Sequence, residues 1–421
     1  MSVRVLHFAD AHIDIANFGR HDSKSGLPYR VVDYLKSLDT IVDTAIEKRV
    51  DLVIFAGDAY KDRNPQPTFQ RAWGERMMRL SRAGIPTLLL VGNHDVAPAE
   101  NRAHTLQEYA TLAVPHIHVA DNVKLWGPED LGVPVQVLAL PWITRSRFLA
   151  RHDMAGKTIE DVHEAILDRI QISIDHAIGK ADPDLPFILT AHASILGASY
   201  GSERMVMLGQ DLALGKGMVT NPRFDYVAMG HIHKHQSLHD QPPVVYPGSI
   251  ERIDFGEWRD PKGFVLADVA RGRTKWEFIR LDTRPFLDQM IRVEEADGFM
   301  DNIMRRLQPP EKLADAICRL RLEYPYELDG LLDERPIREH YAPAFALRLV
   351  KERIGSRQTK LGQLMAVESL GPYELLQAYW RSKDQSDTQV DELLRLAEEV
   401  LDIHPAKADG EAVSLPPLTE Q

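Results

Sequence analysis

Five apolar runs, each leading into side chains of the metal-ligating kind, constrain this chain more than any other feature. The runs are Val3–Phe8, Leu52–Phe55, Thr87–Val91, Phe187–Leu189 and Tyr226–Met229. They lead in turn into Asp10 and His12, then Asp58, then Asn93, then His192, then His231 and His233. Short apolar runs bounded by turn residues read as strands. Between them lie helical patterns at Leu35–Glu47, Arg71–Arg82 and Val162–Ile178. Strands spaced by helices predict a layered α/β domain with sheet in the middle.

The rest of the chain is read by the same periodicities. Further strands are expected at Val135–Leu140, Val244–Tyr246, Phe264–Asp268 and Trp276–Leu281; the later ones are short, close together and expected to be antiparallel. Residues 283–356 carry a strand–helix–strand–helix–strand pattern (Gln289–Val293, Gly298–Leu307, Ala316–Glu323, Glu327–Tyr341, Ala344–Val350), which predicts a small α+β module. Residues 357–404 contain two helical stretches, Tyr373–Arg381 and Asp391–Leu401, with too little core to stand alone. Residues 405–421 are polar and Pro-containing and are expected to be disordered.

Composition narrows the function classes. With 44% hydrophobic and 27% charged residues the chain reads as globular. No apolar run approaches the roughly 20 residues of a membrane span. The first residues enter a strand pattern at once, so no leader is expected. Cys318 is the only cysteine, which fits a reducing cytoplasm. The net charge of −12 leans away from a broad phosphate-binding face, yet two divalent ions would make one spot strongly positive.

The motifs themselves carry the chemistry. Asp10-x-His12 places two ligands at i and i+2, which an extended backbone turns to one side. The Asp58 carboxylate can bridge two ions. Asn93 offers a neutral amide oxygen to a hard ion. His94, the next residue, is turned elsewhere and could face a substrate, with Asp95 orienting it and favouring its protonated form. Gly230-His231-Ile232-His233 suits a metal turn. Mixed Asp, Asn and His ligands suit manganese, with magnesium, iron or zinc as alternatives. Four charges from two ions, set against Asp10 and Asp58, leave an excess that complements a phosphodiester. Two ions roughly 3.5–4 Å apart stabilise in-line displacement at phosphorus.

These motifs (Asp10-x-His12, Gly57-Asp58, Gly92-Asn93-His94-Asp95, His192, Gly230-His231-x-His233) resemble the calcineurin-like metallophosphoesterases. Tyr246–Glu257 and Lys262-Gly263-Phe264 narrow the resemblance to the SbcD and meiotic recombination eleven family of DNA-repair nucleases. The resemblance implies a β-sandwich flanked by helices over residues 1–282, a DNA-capping domain over 283–356 and a partner-binding helical segment over 357–404. Asp10, His12, Asp58 and His233 would hold one metal, and Asp58, Asn93, His192 and His231 the other. His94 would contact the scissile phosphate. It further implies 3'-5' double-strand exonuclease and single-strand or hairpin endonuclease activity on DNA, a homodimer, and an SMC-like coiled-coil ATPase partner completing a heterotetramer.

Some members carry a second His where this chain has Lys61, which offers a phosphate a point charge rather than a proton shuttle. Lys61 and Arg252 are candidate phosphate contacts, and Lys61, Arg63, Arg204 and Arg252 are basic residues that could steer DNA. The chain shows no nucleotide site of its own, because Arg151 stands where the first Gly of a phosphate loop ending in Gly156-Lys157-Thr158 is required. A metallophosphoesterase of the same fold acting on nucleotides or other small phosphodiesters is the alternative.

Overall fold

The computed structural model describes residues 2–19, 21–97, 102–144, 158–201, 213–355, 373, 376, 377, 379, 380 and 387–401. The five apolar runs form β1 (Ser2–Phe8), β2 (Leu52–Phe55), β3 (Thr87–Leu90), β7 (Phe187–His192) and β10 (Tyr226–Gly230). Between and after them lie β4 (Ile117–Ala120), β5 (Lys124–Trp126), β6 (Gln136–Leu140), β8 (Ser194–Ile195), β9 (Ala213–Leu214), β11 (Gln236–Asp240), β12 (Pro243–Tyr246), β13 (Gly263–Ala270) and β14 (Arg273–Arg280). They assemble two six-stranded sheets, in the orders β14-β13-β1-β2-β3-β4 and β11-β12-β10-β7-β6-β5.

Alternation along β1 explains the layers. Val3 and Val5 join an apolar cluster with Ile54, Leu88, Val137, Ile188 and Ala228, drawn from both sheets. Leu6 and Phe8 point the other way, into a cluster with Val31, Leu38, Trp73 and Met77 from α1 (Tyr29–Glu47) and α2 (Pro67–Arg82). The second sheet covers its outer face with the helix Ile159–Lys180 through Ile166, Ile170 and Ile174. Helix, sheet, sheet, helix is therefore the order of layers, as expected of a sandwich flanked by helices.

Strands β1, β2 and β3 run parallel, as do β6, β7 and β10. Their C-terminal ends thus share one edge of each sheet. Strand β13 is antiparallel to β1 and β14, as expected. Strand β12 is antiparallel to β11 but parallel to β10, a departure from the all-antiparallel expectation. Helix α1 begins at Tyr29, ahead of the first apolar position of its period at Leu35, because Arg30 and Tyr34 in its first turns are buried.

The chain divides into two compact units: Met1–Gln289, Gln308–Arg319 and Tyr341–Arg348 in one, Met290–Leu307, Leu320–His340 and Leu349–Gln421 in the other. Strands β15 (Phe286–Arg292), β16 (Ile317–Pro325) and β17 (Ala346–Ile354) form a three-stranded sheet, and the division falls inside each of them. Within the first unit, Phe255, Phe286, Ile317 and Phe345 share a small apolar core. Within the second, the expected helix Glu327–Tyr341 is two pieces, a 3-10 helix Tyr326–Leu331 and an α-helix Glu334–His340. Pro336 has no N–H to carry an α-helical bond back to Leu332, so the helix restarts there. The helix Asp387–Leu401 buries Val390, Leu394 and Ala397 on one face. The region 405–421 lies outside the described residues. Among those described, no helix is long and apolar enough to cross a membrane.

Candidate metal centre

All seven candidate ligands lie just past, or at, the C-terminal ends of these parallel strands: Asp10 and His12 after β1, Asp58 after β2, Asn93 after β3, His192 closing β7, His231 and His233 after β10. The ends are stitched together by backbone. Asp10 N donates to Gly57 O at 2.9 Å, and Ala11 N and His12 N donate to Asp58 O at 2.8 and 3.2 Å. Asp10 (φ 51°), His12 (φ 40°), Asp58 (φ 65°) and His231 (φ 96°) sit in left-handed backbone. Asp10 and His12 therefore reach one site from a turn and not from the extended backbone expected. Such strain persists only where surrounding bonds over-determine it.

Two glycines are required by close approach. A Cβ on Gly92 would lie 2.2 Å from Asp58 Oδ1, and one on Gly230 would lie 2.0 Å from Ala56 O. Ala56 O is the acceptor for His192 Nδ1 at 2.7 Å. These glycines let the strand ends crowd together.

The ligand atoms converge in two overlapping groups. Those of Asp10, His12 and His233, and those of Asp10, Asp58 and His192, each lie within 4.8 Å of one another. Asp10 belongs to both groups, and Asp58 Oδ2 stands 3.4 Å from His192 Nε2 in its own group and 3.7 Å from His12 Nε2 of the other. Asn93 Oδ1 lies 2.9 Å from His192 Nε2 and 3.0 Å from His231 Nδ1.

The donor set fits metal ions. His12 Nδ1 faces Tyr60 O at 3.2 Å, and His233 Nδ1 faces Glu257 Oε1 at 2.9 Å. Both acceptors need an N–H, so each ring presents a bare Nε2, and these two nitrogens stand 3.2 Å apart. Two lone pairs at that distance call for a cation between them. Burial holds His12 well below its ordinary value, which favours its neutral ring and leaves Nε2 open to a metal. Burial also opposes charge on Asp58 and His192. The His192 ring nevertheless holds Asp58 well below the carboxylate range, and Asp58 pushes His192 up to about 9. A positive charge is wanted at both groups, and metal binding would displace protons from it.

Other expected residues are placed differently. His94 is brought to the site, its ring 5.2 Å from that of His12. Its Nδ1 donates to Lys61 O at 2.8 Å, and its Nε2 lies 3.4 Å from Lys61 Nζ. Asp95 does not orient His94. Its carboxylate accepts from Asp58 N (2.8 Å), Ala59 N (3.0 Å), Gly92 N (2.9 Å) and Thr105 Oγ1 (3.0 Å), tying the β2 and β3 ends together. Nor is His94 favoured in its protonated form, because burial lowers it. Arg252 is not available to phosphate: its guanidinium donates to Thr283 Oγ1, Arg284 O and Asp260 O. Lys61 and Arg63 line an open cleft of about 910 Å³ with His94, His21 and Gln66. Arg204 lies outside the described residues.

Three residues at the site are not evident in the sequence as functional. Trp142 sets its ring 5.0 Å from His231 and 6.2 Å from His192. Asp14 holds the Lys61 loop by accepting from Lys61 N and Asp62 N. Glu257 stands behind His233. Only Glu257 carries a sequence signal, as the last residue of the Tyr246–Glu257 segment.

A two-sheet sandwich that delivers carboxylates, an amide oxygen and imidazoles from five strand ends defines a metal-dependent phosphoesterase. Residues 3–235 match the calcineurin-like phosphoesterase family, and the chain belongs to it. It is similar to the DNA double-strand break repair protein Mre11 of Archaeoglobus fulgidus, 23% identical over 375 residues spanning 83% of this chain and 75% of that protein. It is similar to the SbcD component of the SbcCD nuclease of Escherichia coli K12, 28% identical over 277 residues, 64% of this chain and 66% of that protein. It is also similar to the uncharacterized metallophosphoesterase YhaO of Bacillus subtilis, 26% identical over 282 residues, 65% of this chain and 59% of that protein. The matches thus span less than two thirds of the length of the latter two relatives.

Proposed function

We propose that this chain is the nuclease subunit of an SbcCD-like complex for DNA double-strand break repair. It hydrolyses DNA phosphodiesters with two divalent ions, manganese for preference, and draws ATP dependence from a partner ATPase. The observation that carries the reading is the convergence of the seven ligands beside His94 and Lys61. Support for DNA as substrate comes from the Archaeoglobus fulgidus relative, which is named a DNA double-strand break repair protein and whose match spans 83% of this chain, well beyond the phosphoesterase domain. Asp10, His12, Asp58 and His233 would hold one ion, and Asp58, Asn93, His192 and His231 the other. When bound, the ions supply Lewis-acid polarisation of the phosphoryl group and of water.

The residues around them do the remaining work. Lys61 Nζ offers positive charge to a phosphate oxygen, as a compact point charge. His94, lowered by burial and gripped at Nδ1 by Lys61 O, presents Nε2 toward the same space and positions the scissile group. Trp142 shields the His231 side of the site from water. A homodimer, a cytoplasmic location and 3'-5' exonuclease with single-strand endonuclease action belong to the same proposal.

Manganese-dependent degradation of duplex DNA ends is the test. His94→Ala should lower cleavage at least ~100-fold while the chain keeps its metal. Full activity in that variant overturns the mechanism. Rapid turnover of small phosphodiesters with DNA left intact would favour the alternative, which the similarity to YhaO keeps in view.

A further inference from the structure

The chain following β12 builds a fully buried charge pair directly behind one of the ligands. Glu257 and Lys262 are both 0% exposed. Glu257 Oε1 accepts from His233 Nδ1 at 2.9 Å. Its Oε2 lies 2.8 Å from Lys262 Nζ and accepts from Ile253 N at 3.0 Å. Lys262 Nζ also donates to Ser249 Oγ at 2.8 Å and to the backbone oxygen of His233 at 3.0 Å. All three ammonium protons are thereby matched. His233 is gripped twice, at its ring by Glu257 and at its carbonyl by Lys262.

This grip differs from that on the neighbouring ligands. His12 and His192 turn Nδ1 to backbone carbonyls, Tyr60 O and Ala56 O. His233 turns Nδ1 to a carboxylate, which fixes the Nε2-bare tautomer and raises the basicity of that nitrogen. The carboxylate in turn is held by a lysine no solvent reaches, in a network with its partners satisfied.

We propose that Glu257 and Lys262 are positioning residues that set the affinity of one metal subsite, the one built on Asp10, His12 and His233, and leave the other largely alone. The inference rests on the two-metal reading of the proposed function. It assigns Tyr246–Lys262 a role in tuning metal, separate from any contact with the substrate.

The test is calorimetric titration of manganese into the metal-depleted full chain. The paired variant Glu257→Gln with Lys262→Met removes both buried charges together and keeps an amide near His233. The wild type should take up two ions per chain. In the variant one of the two should weaken about 10- to 100-fold while the other keeps its affinity, and thermal unfolding in chelator should stay close to wild type. Glu257→Asp, which keeps the charge but withdraws it by one methylene, should give the same one-sided loss and serves should the paired variant not fold. Equal weakening of both ions, or no weakening, overturns the inference while the two-metal reading stands. Fewer than two ions on the wild type would instead overturn that reading, and the inference with it.

Discussion

Gly92→Ala probes how the site is held open to metal. The added Cβ would stand 2.2 Å from Asp58 Oδ1, 2.6 Å from Asp58 N and 2.9 Å from Asp58 Cγ, where ordinary contact begins at 3.4 Å. The carboxylate oxygen must therefore retreat by about 1.2 Å. Neither backbone can give way alone, because Asp95 Oδ2 accepts from both Asp58 N (2.8 Å) and Gly92 N (2.9 Å). Ligand distances in metal sites tolerate about 0.2 Å, so the displacement exceeds what a bound ion allows several-fold. Overpacking of this kind costs the fold about 1–3 kcal/mol, which a chain of this size survives. Metal content after desalting, read by mass spectrometry, should fall from two ions to fewer than one. Thermal unfolding in chelator should show a cooperative transition slightly below that of wild type. Two ions retained at wild-type affinity would refute the claim that this close approach positions Asp58.

Two further substitutions test the frame around the site. His7, fully buried between the sheets with Tyr226 OH at 3.0 Å and Met229 O at 3.1 Å, is pushed by burial from 6.5 to about 3. The unfolded chain takes up this proton near pH 6.5 while the folded chain resists it, so stability is lost as pH falls through that window, by about 2 kcal/mol at pH 5. His7→Gln, neutral throughout, should remove that share of the acid sensitivity in unfolding curves at pH 7 and 5; an unchanged difference contradicts the assignment. Asp33 accepts from Arg30 Nη1 and, through both oxygens, from Arg284 Nε and Nη2, all at 2.8 Å. Asp33→Ala takes a carboxylate from the buried Arg30, which keeps Glu251 at 3.7 Å and the Arg252 carbonyl, and from the partly buried Arg284, which keeps Asp315. It should cost about 3 kcal/mol in denaturant unfolding, and a loss under about 1 kcal/mol, the range of an exposed pair, would show that these remaining partners and solvent compensate.

The ligands are legible in the sequence because parallel strands buried on both faces read as unbroken apolar runs, with function gathered at their C-terminal ends. What the ligands do with their backbone is not. Asp10 and His12 are held in left-handed conformations by bonds from Asp10 N and His12 N to the β2 end, a tertiary effect with no local signature. The start of α1 is hidden for a related reason: Arg30 is buried, with Asp33 and the Arg252 carbonyl as partners, so an inward-facing position looks polar. Strand β11, with the sequence Gln-Ser-Leu-His-Asp, is an edge strand with no apolar run to reveal it. In sequence Asp95 reads as the partner of the adjacent His94, yet it serves the backbone of Asp58, 37 residues away. Arg252 reads as a phosphate contact because charge in sequence says nothing of burial. Trp142 lies beside two ligands at the end of β6 with no motif around it.

These strand ends are held to bind a pair of divalent ions close enough to act on one phosphate. Electron paramagnetic resonance of the metal-depleted chain titrated with manganese tests that claim most directly. Uptake of two ions per chain is expected, with the exchange-coupled spectrum of a pair roughly 3.5–4 Å apart. A single uncoupled manganese signal that saturates at one ion per chain would contradict it.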